Sequence, residues 1–384
     1  MTATRATPPL LKRLNARTVL EAIRAGAPIS RAEISRRAGI SKPTVSLALQ
    51  SLLDAGLVRE AASPDGPSYG ATFFEPVPEA ALVLGVDLGA RFLRGAVCDL
   101  RGEPRARQDV ELGGGEPERV LAAIVELRES LVAATGLSES LIDSAVAGVP
   151  GVVDRRDGSI RLTHYRSLEG LRLGRELEER LGIPVLLDND INLAALGEQW
   201  RGVARGVDDF VFVSVGTGLG SGLVVQGALH RGHHGAAGEI DYALSGLAGQ
   251  GELDPCADAL SALAARLAPE HPSRVSAPYE VRELFAAARS GDDLGRAVVA
   301  EAARRIALHV MPIAAVADVA LVVLGGGIGA NGDLLLEPVR ALLGRHLPYP
   351  PRVESSSLGE AAVLTGALAV GLRAALDNVF ERHR

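Results

Sequence analysis

Three glycine-rich turns are the parts of this chain whose residue types are best suited to binding a phosphate, and each follows a run of apolar residues. The residues concerned are Asp87 and Gly89 in the first turn, Gly216, Thr217 and Gly218 in the second, and Gly325 and Gly326 in the third. Such a turn can present backbone N–H groups to a phosphate, and a carboxylate beside it can bind a phosphate-bound metal. A single glycine turn is commonly only a hairpin, but three in one chain favour a nucleotide site.

The segments around these turns predict the strands that would hold them in place. Apolar runs occupy residues 81–88, 92–98, 210–215, 223–225 and 320–324, and a helix is predicted from about residue 331 to residue 343. Strands followed by glycine turns and helices predict an α/β body that starts near residue 80.

The residues before the body carry a different pattern, typical of three short helices. Apolar residues at helical spacing predict a first helix that ends near Gly26: Leu14, Val19, Leu20 and Ile23. Ser30 followed by Glu33 predicts a capping box for a second helix over residues 31–38. Ser41 is predicted to cap the third helix.

The third helix has one apolar face and one polar face. Val45, Leu49, Leu52 and Leu53 share the apolar stripe. Residues suited to contacting DNA lie on or beside the other face: Arg31, Ser41, Lys42, Thr44, Ser46 and Gln50. Small polar side chains and a glutamine can read base edges in the major groove, while Lys42 and Arg31 are better placed for phosphates. A plain three-helix bundle for protein contact is the alternative.

A strand and a turn-rich segment follow the third helix and predict a wing. The strand begins around residues 56–60, and residues 63–70 form a tip rich in serine, proline and glycine. Residues 1–75 are therefore predicted to be a winged helix-turn-helix DNA-binding domain.

Charge and cysteine content agree with this division. The formal net charge is −7, of which residues 1–60 carry +6 and the remainder −13. A basic module joined to an acidic body suits a DNA-binding head. Cys98 and Cys256 alone exclude a disulfide framework and a cysteine-only zinc site, and no segment is apolar and long enough to be a signal peptide or to span a bilayer. We expect a cytoplasmic protein without membrane contact.

Three segments of the body resemble the ROK family of repressors, open reading frames and sugar kinases. They are residues 148–154, residues 189–198 and, most specifically, residues 215–239. The resemblance covers essentially the whole chain and implies an actin-like, hexokinase-like ATPase fold of two α/β lobes. We expect a small lobe of residues 80–188 plus 366–384 and a large lobe of residues 189–365. A DNA-binding head in front of such a body is the arrangement of the family's transcription factors.

The resemblance also implies roles for individual residues. In the family's kinases, the residue that matches Asp190 takes the proton from the sugar hydroxyl, and those that match Asn189 and Glu239 hold ring hydroxyls. We therefore expect an effector or sugar site formed by Gly151, Asn189, Asp190, Glu239 and His234. The alternative is that Asn189 and Asp190 only form a turn or cap a helix that begins near Asn192.

The chain also departs from the kinases of this family. The first phosphate loop contains Ala90-Arg91 in place of glycine and threonine, Ser167 stands in place of an asparagine, and Asp241-Tyr242 replaces glycine and histidine after Glu239. Only Cys256 remains of the family's cysteine cluster. We interpret Asp190 as a vestigial catalytic base and the glycine turns as a vestigial nucleotide site, and we expect neither zinc nor another cofactor.

These departures favour a ligand-responsive DNA-binding regulator, acting as a repressor, over an enzyme. The expected partners are a double-stranded DNA operator, a sugar-like effector in the interlobe cleft and further copies of the chain in a homodimer or tetramer. An ATP-dependent sugar kinase, a regulator of a non-sugar metabolite and a scaffold with an inactive cleft are the alternatives.

Overall fold

The N-terminal head combines three helices with a small antiparallel sheet, in a computed structural model that describes residues 8–63, 71–163, 165–242 and 251–382. Its elements are α1 (Pro8–Gly26), β1 (Ile29–Ser30), α2 (Arg31–Ala38), α3 (Lys42–Asp54), β2 (Val58–Ala61) and β3 (Phe73–Pro76). The strand order β1-β3-β2 makes β2 and β3 the predicted wing. Most of the predicted tip at residues 63–70 lies outside the described residues.

The caps predicted for the second and third helices are confirmed. The hydroxyl of Ser30 accepts the N–H of Glu33 at 3.3 Å, and the hydroxyl of Ser41 accepts the N–H of Thr44 at 3.4 Å. Leu14, one of the residues whose spacing predicted the first helix, is 48% exposed. The N-terminal turns of α1 carry this exposed leucine because α1 is buried only from Ala16 onward.

The first part of the body forms a sheet covered by helices. Its elements are β4 (Leu82–Leu88), β5 (Phe92–Asp99), β6 (Pro104–Glu111), α4 (Pro117–Thr135), β7 (Ile142–Val149), β8 (Val152–Val153), β9 (Ile160–Arg161), α5 (Leu173–Leu181) and β10 (Val185–Asn189). The strand order is β10-β7-β4-β5-β6, with β4, β7 and β10 parallel and the two hairpins antiparallel.

The second part of the body repeats this topology. Its elements are α6 (Asp190–Arg201), β11 (Phe210–Val215), β12 (Leu219–Val225), β13 (Ala228–Leu229), α7 (Ala257–Leu267), α8 (Val281–Arg289), α9 (Asp293–Ala317), β14 (Leu321–Gly325), α10 (Gly326–Gly329), α11 (Gly332–His346), β15 (Arg352–Ser355) and α12 (Ala362–Arg382). The order β13-β12-β11-β14-β15 again joins an antiparallel meander to parallel strands. Two lobes of the same topology are the actin-like, hexokinase-like arrangement that the sequence predicted.

The second glycine turn is shorter than the run of glycines in the sequence. Strand β12 already begins at Leu219, so Gly220 and Gly222 lie within the strand. A Cβ atom on Gly222 would lie 2.8 Å from the Cβ of Ala195 and from the carbonyl oxygen of Ile191. Gly222 is therefore required because α6 passes directly over β12.

Helices α6 and α12 cross in backbone contact between the two sheets. A Cβ on Gly197 would lie 2.2 Å from the carbonyl oxygen of Ala362, and a Cβ on Gly366 would lie 1.8 Å from that of Leu193. Helix α12 also shares a hydrophobic cluster with the head, in which Leu368 and Leu372 meet residues of α1. The crossing thus joins both lobes and the head.

Gly366→Ala is expected to destabilise the body. Its methyl group would overlap a backbone oxygen that cannot rotate away, so we expect a loss of about 1–3 kcal/mol in the free energy of unfolding. Gly344→Ala is the matched control, because a Cβ there meets nothing within 4 Å and alanine favours an exposed helix. Urea titration should show a lower midpoint for the first variant and an unchanged or higher midpoint for the second; equal midpoints would contradict the close crossing.

Candidate functional site

A cavity of about 1110 Å³ lies between the two sheets. The structure brings into it most of the residues predicted for the effector and nucleotide sites: Gly89, Gly151, Asn189, Asp190, Gly216, Thr217, Gly218, Glu239 and Gly326. Its volume slightly exceeds the ~300–1,000 Å³ common for small-molecule pockets. A monosaccharide and a second group could therefore bind side by side.

Asn189 and Asp190 are held in the cavity by the start of α6. The side-chain oxygen of Asn189 accepts the N–H of Asn192 at 3.0 Å, and its amide nitrogen donates to the carbonyl of Gly151 at 3.0 Å. Asn189 therefore does cap the helix, as the alternative interpretation held, although α6 begins at Asp190. The same residue lines the cavity, so capping and ligand contact are compatible.

Asp190 is the most strongly perturbed carboxylic acid that faces the cavity. Burial at the start of α6, with the charges of Asp87 and Glu239 nearby, raises the pKa of Asp190 to about 7. Its own helix opposes this effect, because the carboxylate accepts the N–H of Ile191 at 2.9 Å. A carboxyl group that titrates near neutral pH can accept a proton from, or a hydrogen bond from, a ligand hydroxyl.

Glu239 lines the same cavity from the segment that follows β13. Strand β12 fixes it, because Ser221 donates from its N–H to the carbonyl of Gly238 at 2.9 Å. Gly238 adopts φ of 105°, and a Cβ there would lie 1.9 Å from the carbonyl oxygen of Ser221, so only glycine fits. Partial burial and the nearby charge of Asp241 raise the pKa of Glu239 to about 7. Both acids line one cavity, where paired acceptors can orient the hydroxyl groups of a polyol.

These raised pKa values predict a stability loss with rising pH. In the folded protein Asp190 and Glu239 keep protons up to about pH 7, whereas both would ionise near pH 4 when unfolded. The folded state therefore binds more protons over this interval, and the free energy of unfolding falls as pH rises through it. Glu239→Gln should reduce the fall between pH 6 and pH 8 by about 1 kcal/mol, after allowance for solvent screening. Urea unfolding at both pH values measures this, and equal slopes for variant and wild type would contradict it.

The first phosphate loop is engaged by two side chains. Asp87 is buried below the cavity and pairs with Arg94 at 3.4 Å, and Arg94 also contacts Glu360 at 3.2 Å. The hydroxyl of Tyr165 lies 2.9 Å from the carbonyl oxygen of Gly89 and 2.7 Å from that of Ala90. Burial raises the pKa of Asp87 to about 6, and Arg94 opposes the rise. Sequence reasoning missed Arg94 and the contact of Tyr165, although Asp87 and Arg94 are direct partners in the β4–β5 register.

Arg91 stands at the position of the threonine in the family's kinases, and its charge does not point only into the cavity. Its Nε donates to Glu111 at 2.9 Å, and its guanidinium lies 5.2 Å from the ring centroid of Phe92. Phe285 and Arg289 on α8 also line the cavity, and no sequence motif had identified them.

Four predicted positions lie outside the cavity lining. His234 is exposed and packs edge-on against His233 at 4.5 Å, because Gly232 and Gly235, with φ of 73° and 88°, turn this loop away. Ser167 donates to the carbonyl of Gly115 at 2.5 Å, so Tyr165 occupies the cavity wall in its place.

The other two positions support the cavity from below. Asp87 is 5% exposed, and Gly325 ends β14, where a Cβ would lie 2.3 Å from the ring of Phe212. Both are adjacent in sequence to glycine turns that line the cavity.

The residues present do not fit the family's zinc site. Within residues 8–63, 71–163, 165–242 and 251–382, no group of three or more histidine, cysteine, aspartate or glutamate side chains is arranged to hold a metal ion. Cys256 is buried ahead of α7, and burial raises the pKa of its thiol. Residues 243–250 lie outside the described part of the chain.

The predicted DNA-contacting residues form one surface on α2 and α3. Arg31, Ser41, Lys42 and Gln50 are exposed, and Thr44 and Ser46 are partly exposed. Leu47 is 71% exposed among them, a residue that could contact a thymine methyl group.

Each predicted base-reading side chain already has a partner on the helix. Thr44 Oγ1 lies 2.8 Å from Ser41 Oγ, Ser46 donates to the carbonyl of Lys42 at 3.0 Å, and Gln50 donates to Asp54 at 2.7 Å. Such exposed pairs contribute only ~0.2–0.5 kcal/mol, so a base edge can replace them.

No helix among the described residues is long and apolar enough to span a membrane.

Comparisons with known proteins agree with both parts of the structure. The ROK family model matches residues 83–374, and the MarR family model matches residues 11–66. The putative xylose repressor of Caldicellulosiruptor sp. (strain Rt8B.4) is 29% identical, over 94% of this chain and 96% of that protein.

Two solved structures have the same fold. A ROK family transcriptional regulator, a homologue of the E. coli MLC protein, superposes with a TM-score of 0.81 at 24% identity and covers 97% of this chain and 98% of its own. The ROK family glucokinase from Streptomyces griseus, solved with glucose and AMPPNP, superposes with a TM-score of 0.64 at 26% identity and covers 76% of this chain and 100% of its own. With its winged helix-turn-helix head and two-lobed body, this chain belongs to the ROK family.

Proposed function

We propose that this protein is a DNA-binding repressor whose affinity for its operator is set by a sugar or sugar derivative in the interlobe cavity. The observation that carries the proposal is the packing of a winged helix-turn-helix head against a body whose cavity is lined by both Asp190 and Glu239. The full-length similarity to a protein named as a putative xylose repressor supports the same function. D-xylose is therefore the first effector to test.

A homodimer or tetramer completes the proposal. Operators with two half-sites are read by symmetric dimers, in which two heads must have a fixed spacing. A sugar that changes the angle between the lobes would change that spacing and therefore the affinity for DNA.

A sugar kinase is the second candidate, because Asp190 faces the cavity with its pKa near 7, a property of a general base. Two contacts argue against phosphoryl transfer. Arg94 pairs with Asp87, and the hydroxyl of Tyr165 bonds the Gly89–Ala90 carbonyls, so the loop that would bind a metal–phosphate group is occupied by protein side chains. We therefore propose that the kinase site is degenerate and that the cavity serves recognition.

Operator affinity and ADP production, measured side by side, distinguish the repressor from the kinase. Operator fragments selected by the protein from random duplexes should bind with an affinity that D-xylose or another sugar changes by about 5- to 150-fold. ADP production with ATP, Mg²⁺ and the same sugar should stay at the level of a protein-free control. Sugar-dependent ADP production without any effect on DNA affinity would favour the kinase instead.

A further inference from the structure

Helix α6 connects the sugar cavity directly to the DNA-binding head. Its first residue, Asp190, lines the cavity, and its last residues, Trp200 and Arg201, lie next to the head. A helix of 12 residues is about 18 Å long. A displacement at one end therefore reaches the other end without passing through a flexible loop.

The contact at the C-terminal end of α6 involves three elements. Gly102, in the turn between β5 and β6, is the point where they meet: a Cβ there would lie 2.9 Å from Cζ2 of Trp200 and 3.1 Å from Nη2 of Arg24 on α1. Arg201 donates to the carbonyl of Gly102 at 3.0 Å and to Glu103 at 3.1 Å, and its guanidinium lies 4.3 Å from the ring centroid of Trp200.

Hydrophobic packing makes this junction part of the head's own core. Trp200 packs against a cluster that includes Val19, Leu20 and Ile23 of α1 together with Cys98 and Leu100 of the body. Because the head shares a core with the body here, it cannot swing freely on its linker. A shift of the junction must therefore move α1.

The junction also contains a polar group that is not satisfied in this conformation. Nε of Arg24 is buried and has no hydrogen-bond partner among the described residues. A buried donor without an acceptor raises the free energy of the conformation that contains it. An arrangement of the junction that supplies an acceptor to this nitrogen would gain that hydrogen bond.

Resting on the sugar-responsive function proposed above, we propose that Trp200 and Arg201 are positioning residues that transmit sugar binding from the N-terminal end of α6 to Arg24 of the head. Glu198 keeps the helix rigid on this route, because its buried carboxylate accepts hydrogen bonds from Ser356 at 2.5 Å and from the N–H of Leu358 at 3.2 Å.

Two variants and one matched control test the transmission. Arg201→Gln removes the charged contacts with Gly102 and Glu103, and Trp200→Phe reduces the packing. Arg205→Gln makes the same chemical change at an exposed position four residues further on, after the end of α6. The full-length proteins are titrated with selected operator DNA in the absence and presence of D-xylose, D-glucose or N-acetyl-D-glucosamine. Sugar affinity is measured separately by calorimetry.

We expect Arg201→Gln and Trp200→Phe to bind both sugar and operator within about threefold of wild type. The factor by which sugar changes operator affinity should fall by about 2- to 30-fold, whereas Arg205→Gln should keep the wild-type factor. A purely structural role would lower stability or basal DNA affinity without reducing this factor. Sugar-free operator affinity that falls while the factor stays at the wild-type value would therefore overturn the inference.

Fluorescence of the wild-type protein gives a readout that does not depend on any variant folding. Trp200 is the single tryptophan of the chain, so its emission reports this junction alone. Emission should change with sugar at the same midpoint as operator affinity. Unchanged emission, together with an intact sugar effect on DNA in both variants, would overturn the inference and leave the proposed function standing. A wild type in which none of the sugars alters operator affinity would overturn the proposed function and this inference with it.

Discussion

Asp190→Asn is expected to abolish the effect of sugar on DNA affinity while leaving the affinity of the sugar-free protein unchanged. Asp190 lines the cavity, and its only side-chain hydrogen bond among the described residues is to the neighbouring N–H of Ile191, so the variant should fold normally. An amide of the same shape places an NH2 donor where the carboxylate has its second acceptor oxygen, so it cannot accept hydroxyl groups at both positions. A sugar effect of about 5- to 150-fold should fall to about onefold.

The control for this variant is the same chemical change at an aspartate that lies away from the cavity. Asp208→Asn changes an exposed carboxylate before β11 and should keep the full response to sugar. Operator titrations with and without D-xylose measure both variants side by side. An Asp190→Asn protein that responds like Asp208→Asn would remove Asp190 from the effector site.

The second large effect is expected for substitutions on α3, which should change the affinity for DNA. Thr44→Ala and Gln50→Ala should each weaken binding to the selected operator by about 1–3 kcal/mol and leave binding to random DNA nearly unchanged. Lys42→Ala should weaken both kinds of DNA alike, because a phosphate contact carries no sequence information. The difference follows from their side chains, since the charge of Lys42 suits a phosphate and the polar groups of Thr44 and Gln50 suit base edges.

Thr18→Ala provides the control on the head. Its hydroxyl donates within α1 to the carbonyl of Leu14 at 2.9 Å, as Ser46 does within α3, but it lies on another helix. Anisotropy titrations with both DNAs at two salt concentrations separate the contributions. Equal losses for Thr44, Gln50 and Lys42 variants on operator and random DNA would contradict the assignment of α3 as the base-reading element.

The helices of the head were predicted well because their caps and apolar stripe are set by residues that are close together in the sequence. The caps at Ser30 and Ser41 and the stripe of Val45, Leu49, Leu52 and Leu53 depend on residues three to eight positions apart, and each is present in the structure. The pairing of Thr44, Ser46 and Gln50 with their own helix could not be read in the same way, since rotamers are set by competition between nearby partners.

The cavity was predicted in part, and the errors have a common cause. Asn189, Asp190 and Glu239 followed from motifs, whereas Tyr165 and Arg94 reach the first phosphate loop from segments with no motif. His234 was misplaced because the conformations of Gly232 and Gly235 decide the direction of its loop. Contacts between residues far apart in sequence depend on strand register and loop direction, which spacing alone does not specify.

The most direct test of the central claim is the affinity of the full-length protein for a selected operator, measured by anisotropy while D-xylose and other sugars are titrated. The account predicts specific, salt-dependent binding, and one sugar that changes the dissociation constant at least about fivefold in wild type and not in Asp190→Asn. An affinity that no sugar alters, or equal affinity for operator and random DNA, would contradict it.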